Sequence, residues 1–164
     1  MDVHDNTTAE SELNKFISEG GSLAMLKNIS GDELEKIYAV ACDFYESGKY
    51  PDAESLFQVL CMLNHYDSRF FLALGACRQQ QARYHQALET YSYASLMSPS
   101  DPAFPFHAGE CLLHLKEFSS AIQAFTSAEL LAKTRPGHDA LLKKAGVMLT
   151  AAREQAEAGN AERH

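Results

Sequence analysis

The sequence predicts an all-α fold of three stacked helical hairpins, flanked by an N-terminal helical segment and a C-terminal covering helix. Three observations carry this. Similar residues recur at intervals of 34: Ala41, Gly75 and Gly109; Tyr50, Tyr84 and Phe118; Ala53, Ala87 and Ala121; Phe57, Tyr91 and Phe125. Within a unit the apolar residues fall at i, i+3, i+4 and i+7, as in Ile37, Val40, Ala41 and Phe44, the spacing of one helix face. Turn formers divide each unit, and no β-type alternation competes.

Residues 1–10 read as a disordered tail. In 11–33, Leu13, Phe16 and Ile17 make one apolar patch, Gly20 and Gly21 interrupt it, and Leu23, Met25, Leu26 and Ile29 make a second. These residues either cap the first repeat or form a dimer face that buries them on a second copy of the chain. Ser30 with Glu33 is a capping box that opens the first repeat. The repeats occupy 34–67, 68–101 and 102–135. Ser47, Gly48 and Lys49 break the first, and Pro51 suits the first turn of the following helix. Pro99 and Pro102 stop the helix before the third unit, and Asp101 is placed to cap the next. The small residues let the helices of a hairpin approach closely, while Phe57, Tyr91 and Phe125 are expected between hairpins. Leu141, Leu142, Ala145, Met148, Leu149 and Ala152 predict a capping helix over 136–157, followed by a polar tail, 158–164.

The period and residue types resemble the tetratricopeptide repeat, which implies a right-handed superhelix whose first helices line a concave side. Composition narrows the function. With 14 Lys plus Arg against 22 Asp plus Glu the formal charge is −8, and seven of the acids precede Leu34. A polyanion is repelled by such a chain, so nucleic acid is not an expected partner. No apolar run approaches the ~18 residues that span a bilayer, and the first residues lack the order of a signal peptide, so the expectation is a cytosolic chain without membrane insertion. Cys42, Cys61, Cys77 and Cys111 lack close pairing and read as reduced, packed thiols.

Motifs for phosphate cradles, metalloprotease helices and nucleophile elbows are absent, so neither an enzyme nor a cofactor is expected. His107 and His114 share a helix face with Glu110 between them. Without a third imidazole or paired thiolates they read as a polar groove wall, with no metal. What remains is a surface. The concave positions not used for packing are Tyr38, Cys42 and Tyr45 in the first unit, Arg69, Leu72, Ala76 and Gln79 in the second, and Phe106, Glu110, Leu113 and His114 in the third. Tyrosines there supply large amphipathic contact area at low entropic cost, which suits an extended peptide. A carboxylate clamp of Lys, Asn and Arg is not present, because those places carry Tyr38, Cys42, Ala103 and His107.

The runs GGSLAMLKNIS (20–30), LCMLNHYDSRFFLALGACRQ (60–79), YSYASLM (91–97) and FPFHAGECLL (104–113) resemble the class II chaperones of bacterial type III secretion, the low-calcium-response H type that serves pore-forming translocators. The departures are Ala103, where an arginine is expected, and SPSD (98–101) in place of a more charged linker. The resemblance implies a cytoplasmic bacterial chaperone for two hydrophobic translocators, major and minor; if the 13–29 patch is a dimer face, a homodimer forms when the chain is free of substrate. It also implies a substrate segment with spaced proline and aliphatic residues lying in apolar pockets around Tyr38, Tyr45, Leu63, Leu72 and Phe106. A cytosolic scaffold joining other partners is the reading that the repeats alone support.

Overall fold

The computed structural model describes residues 3–162, and every described regular element is helical. Helix α1 spans Val3–Ser18 and α2 Leu23–Leu26. The hairpins are α3 (Gly31–Glu46) with α4 (Tyr50–Leu63), α5 (Ser68–Gln80) with α6 (Tyr84–Met97), and α7 (Ala103–His114) with α8 (Phe118–Lys133). Helix α9 spans Asp139–Ala161 and packs on α8. Of the expected tails, residues 1–2 and 163–164 lie outside the described residues, while helix occupies 3–10 and 158–161. At the C-terminal end the reason is composition, since Glu, Gln and Ala over 154–158 are strong helix formers.

The hairpin is built around one contact. A Cβ added at Gly75 would sit 2.3 Å from the Tyr91 ring, and one added at Gly109 would sit 2.7 Å from the Phe125 ring. Each aromatic ring thus fills the space that the glycine of its own hairpin leaves open, and Phe57, Tyr91 and Phe125 are all essentially inaccessible to solvent. The rings were expected between hairpins. Tyr91 and Phe125 pack first within them, because the glycine faces the partner helix, and Phe57 meets Tyr38 of its own hairpin, although Tyr91 also reaches the His107 ring of the next unit at 5.5 Å. Ala53, Ala87 and Ala121 are fully buried on the second helices.

Each hairpin turn closes through a residue with positive φ: Gly48 at 74°, Ala82 at 57° and Lys116 at 61°, again 34 apart. The N–H of the following residue reaches back to the first helix, with Lys49 donating to the Phe44 carbonyl at 2.8 Å, Arg83 to Arg78 at 2.9 Å and Glu117 to Leu112 at 2.9 Å. This is the closure that satisfies orphan helix carbonyls, and it favours glycine at the left-handed position. The expected capping box is formed: the Ser30 hydroxyl accepts from the Glu33 N–H at 3.2 Å, and the Glu33 carboxylate accepts from the Ser30 N–H at 2.7 Å. Asp101 accepts from the Ala103 N–H at 2.9 Å in the first turn of α7.

A polar knot ties the first two hairpins together. Glu54 of α4 is 7% exposed, and its carboxylate accepts from Arg78 Nε at 3.1 Å, from Gln81 Nε2 at 2.9 Å and from Arg83 Nη2. Arg78 also donates to Thr90 Oγ1 at 2.6 Å. Burial raises the pKa of Glu54, but the hydrogen bonds from Gln81 and Arg78 and the charges of both arginines outweigh it and hold the group below its ordinary value of 4.5.

Phe125→Ala is expected to lower stability by about 3–5 kcal/mol, the cost of a large cavity in a sealed core, and an unchanged denaturant midpoint would remove that ring from the core. Lys116→Gly is expected to raise stability by roughly 0.5–1 kcal/mol by relieving the left-handed backbone, read in the same titration. Glu54→Gln is expected to cost about 2–4 kcal/mol at neutral pH by removing the charge that Arg78 and Arg83 share and turning one acceptor oxygen into an NH2 donor. Because the folded pKa is depressed, the wild-type advantage is complete above pH 4.5 and disappears as pH falls through the folded value, so the two midpoints should converge in acid.

Candidate functional site

The first helices α3, α5 and α7 face one side of the stack, where α9 adds a further wall. Between α3 and α5 lies a cavity of about 360 Å³ lined by Tyr38, Cys42, Tyr45, Glu46, Phe57, Arg69, Leu72, Ala73, Ala76 and His107. Six of the residues expected in a groove (Tyr38, Cys42, Tyr45, Arg69, Leu72 and Ala76) are therefore brought together on one hollow. Tyr38 is held by edge contact with Phe57 at 5.8 Å and by Phe70 at 5.6 Å, and Tyr45 packs on Tyr50 at 5.2 Å. Both rings are thus positioned before any ligand arrives, which limits the ordering cost of binding.

Arg69 closes one end of this hollow, but its charge is engaged. Its Nη2 lies 2.6 Å from Glu35 and 2.7 Å from Asp67, and its guanidinium sits over the Tyr38 ring at 5.1 Å. The group serves as a packed, neutralised wall, not as an open anion receptor.

Further along, Phe106, His107 and Glu110 of α7 meet Lys143, Lys144, Val147 and Met148 of α9 around a second cavity of about 430 Å³. Gln79, Glu110, Leu113 and His114 gather with Met148 and Gln155 around a third, of about 310 Å³. His107 lines the first and second cavities and Glu110 the second and third, so the hollows adjoin one another in a row along the groove. A hydrogen-bonded chain runs along its floor: Tyr91 Oη donates to Gln79 Oε1 at 3.0 Å, Gln79 Nε2 to Glu110 Oε2 at 3.2 Å, and His107 Nδ1 to the same oxygen at 2.7 Å. Burial favours protonated Glu110, but the bonds from His107 and Gln79 outweigh it and keep the carboxyl below its usual range. His114 stacks on Tyr84, with centroids 4.2 Å apart and planes within 3°.

Leu63 does not belong to the groove. It lies at the end of α4, 7% exposed and part of the core, because second helices stand behind the groove and their inner stripe, with Phe57 and Leu60, fills the interior. Glu46, Ala73 and the α9 residues were missed as groove walls, whereas His107, read as a polar groove wall, does line the first and second hollows. Val147 carried a signal: it is apolar yet falls off the stripe formed by Ala145, Leu149 and Ala152. The N-terminal residues divide. Leu23 and Ile29 pack on the first hairpin and Phe16 covers Gly21, whereas Leu13, Ile17, Met25 and Leu26 are exposed.

Burial pushes the thiols of Cys61, Cys77 and Cys111 up to about 12, so they stay protonated and poorly nucleophilic. Among the described residues, no three or more His, Cys, Asp or Glu side chains are grouped to hold a metal ion, and no helix is long and apolar enough to cross a membrane.

Helical hairpins that recur every 34 residues around an apolar groove define a tetratricopeptide-repeat protein. Tetratricopeptide-repeat family models match residues 34–67 and 72–139. The low calcium response locus protein H of Yersinia pseudotuberculosis is 43% identical over 92% of this chain and 90% of its own. The type III secretion translocator chaperone SycD of Yersinia enterocolitica superposes with a TM-score of 0.78 at 47% identity, over 80% of this chain and 98% of SycD, which has also been solved in an alternative dimer. PcrH of Pseudomonas aeruginosa, in complex with the chaperone binding region of PopD, superposes with a TM-score of 0.74 at 50% identity, over 77% and 96% of the two chains. The chain belongs to the low calcium response locus protein H family of type III secretion translocator chaperones.

Proposed function

We propose that this protein binds hydrophobic translocators, a major and a minor one, in the bacterial cytoplasm before their export, and holds an extended segment of each in the concave groove. The observation that carries the reading is the apolar hollow between α3 and α5, walled by Tyr38, Tyr45, Leu72 and Ala76, in a chain similar to one crystallised with the chaperone binding region of a translocator. A translocator carries segments meant for a membrane, and covering part of the chain lowers the concentration of the aggregation-prone free form by mass action. Binding alone does this work, so the reading includes no catalytic step and no cofactor. Self-association of the substrate-free chain through Leu13, Ile17, Met25 and Leu26, all exposed, completes the proposal.

Tyr45→Ala is expected to weaken binding of a translocator segment by about five- to thirtyfold, the usual effect of truncating an aromatic anchor, with helicity retained. Calorimetric titration and circular dichroism read the two effects separately. Unchanged affinity with intact helicity would take Tyr45 out of the site, and co-purification from secreting cells of unsecreted partners alone would make the protein a cytosolic scaffold.

A further inference from the structure

The groove is not electrically uniform. At the α3/α5 end the Arg69 charge is consumed by Glu35 and Asp67, and the exposed Glu46 stands on the cavity wall. At the α7/α9 end Lys143 and Lys144 border the second cavity, and neither makes a salt bridge among the described residues. The carboxylate on that wall, Glu110, is engaged with His107 and Gln79. Two uncommitted ammonium groups therefore rim an apolar hollow of about 430 Å³ in a chain of net charge −8. Val147, on the same wall, is 68% exposed and takes no part in the packing of α9 on α8. Helix packing does not explain an exposed valine flanked by unpaired lysines, whereas a ligand with an apolar side chain next to a carboxylate does.

We infer that the second cavity receives an apolar side chain of the bound translocator segment and that Lys143 and Lys144 receive an acidic residue beside it. The inference rests on the proposed function and adds the charge pattern of the ligand: apolar anchors in both cavities, carboxylates at the α9 end, and none at the α3 end, where Glu46 repels them. In an extended segment successive side chains alternate in direction, so neighbouring residues reach the hollow and its rim together. The polarity of the groove also orients the segment, because the reversed chain places its acids against Glu46.

The test uses the full chain and a fluorescently labelled synthetic peptide of the PopD chaperone binding region, extended at one end or the other by Asp-Asp, Lys-Lys or Gly-Gly. Anisotropy titrations at low salt are expected to show that Asp-Asp at one end binds about three- to tenfold tighter than Lys-Lys there. The difference should shrink as salt is added and invert in the Lys143→Glu/Lys144→Glu variant, whose helicity is checked by circular dichroism. The salt dependence in the unmodified protein gives a reading that needs no variant. Equal affinities for the extended peptides, with the Gly-Gly form still bound, overturn this inference and leave the chaperone reading standing. No binding of the Gly-Gly form overturns both.

Discussion

The structure depends on the closeness with which the two helices of a hairpin approach each other. Gly75 and Gly109 have no side chain because the rings of Tyr91 and Phe125 occupy the place a Cβ would take. That contact sets the separation and rotation of the pair, and its repetition every 34 residues makes successive hairpins stack in the same way. Left-handed residues at Gly48, Ala82 and Lys116 turn the chain back at the same point in each unit, so the ring of each second helix keeps one register against the small residue of the first, glycine in the second and third hairpins. A hairpin does not seal its own apolar face. Each becomes stable by burying it on the next, and α9 supplies that service for α8 at the end of the array.

The groove follows from this stacking. With the rings turned inward between helices, the faces of α3 and α5 toward the hollow carry Tyr38, Tyr45, Leu72 and Ala76 side by side, half-buried at the edge of the core. The same residues would collapse on one another in a flexible chain. Here Phe57, Phe70 and Tyr50 support the rings from behind, and Glu54 with its two arginines holds the first hairpin against the second. An apolar cleft held open by its own scaffold can accept an extended hydrophobic segment without first paying for its own order.

The repeat architecture was legible because the contact of a small residue (Ala41, Gly75, Gly109) with an aromatic ring (Phe57, Tyr91, Phe125) recurs at the same step, and the i, i+3, i+4, i+7 spacing left no rival to helix. Groove residues were legible wherever a first-helix side chain fell outside the packing stripe. Leu63 misled because a leucine at a helix end is apolar on either face, and only the packing of α4 decides that it points inward. The turns at Ala82 and Lys116 were illegible as left-handed positions, since neither residue favours that backbone and tertiary closure imposes it. The wall made by α9 was hidden for another reason: its apolar stripe explains the cap so fully that Lys143, Lys144 and Val147 read as ordinary surface.

The central claim is that the concave side, and not the outer side of the second helices, holds the translocator. Site-specific photo-cross-linking in secreting cells tests it most directly, with the reactive group placed in turn at Ala76 in the groove and at Leu96, which is 80% exposed on α6. The account predicts covalent adducts with secreted, membrane-segment-bearing proteins from Ala76. Such adducts from Leu96 and none from Ala76 would contradict it.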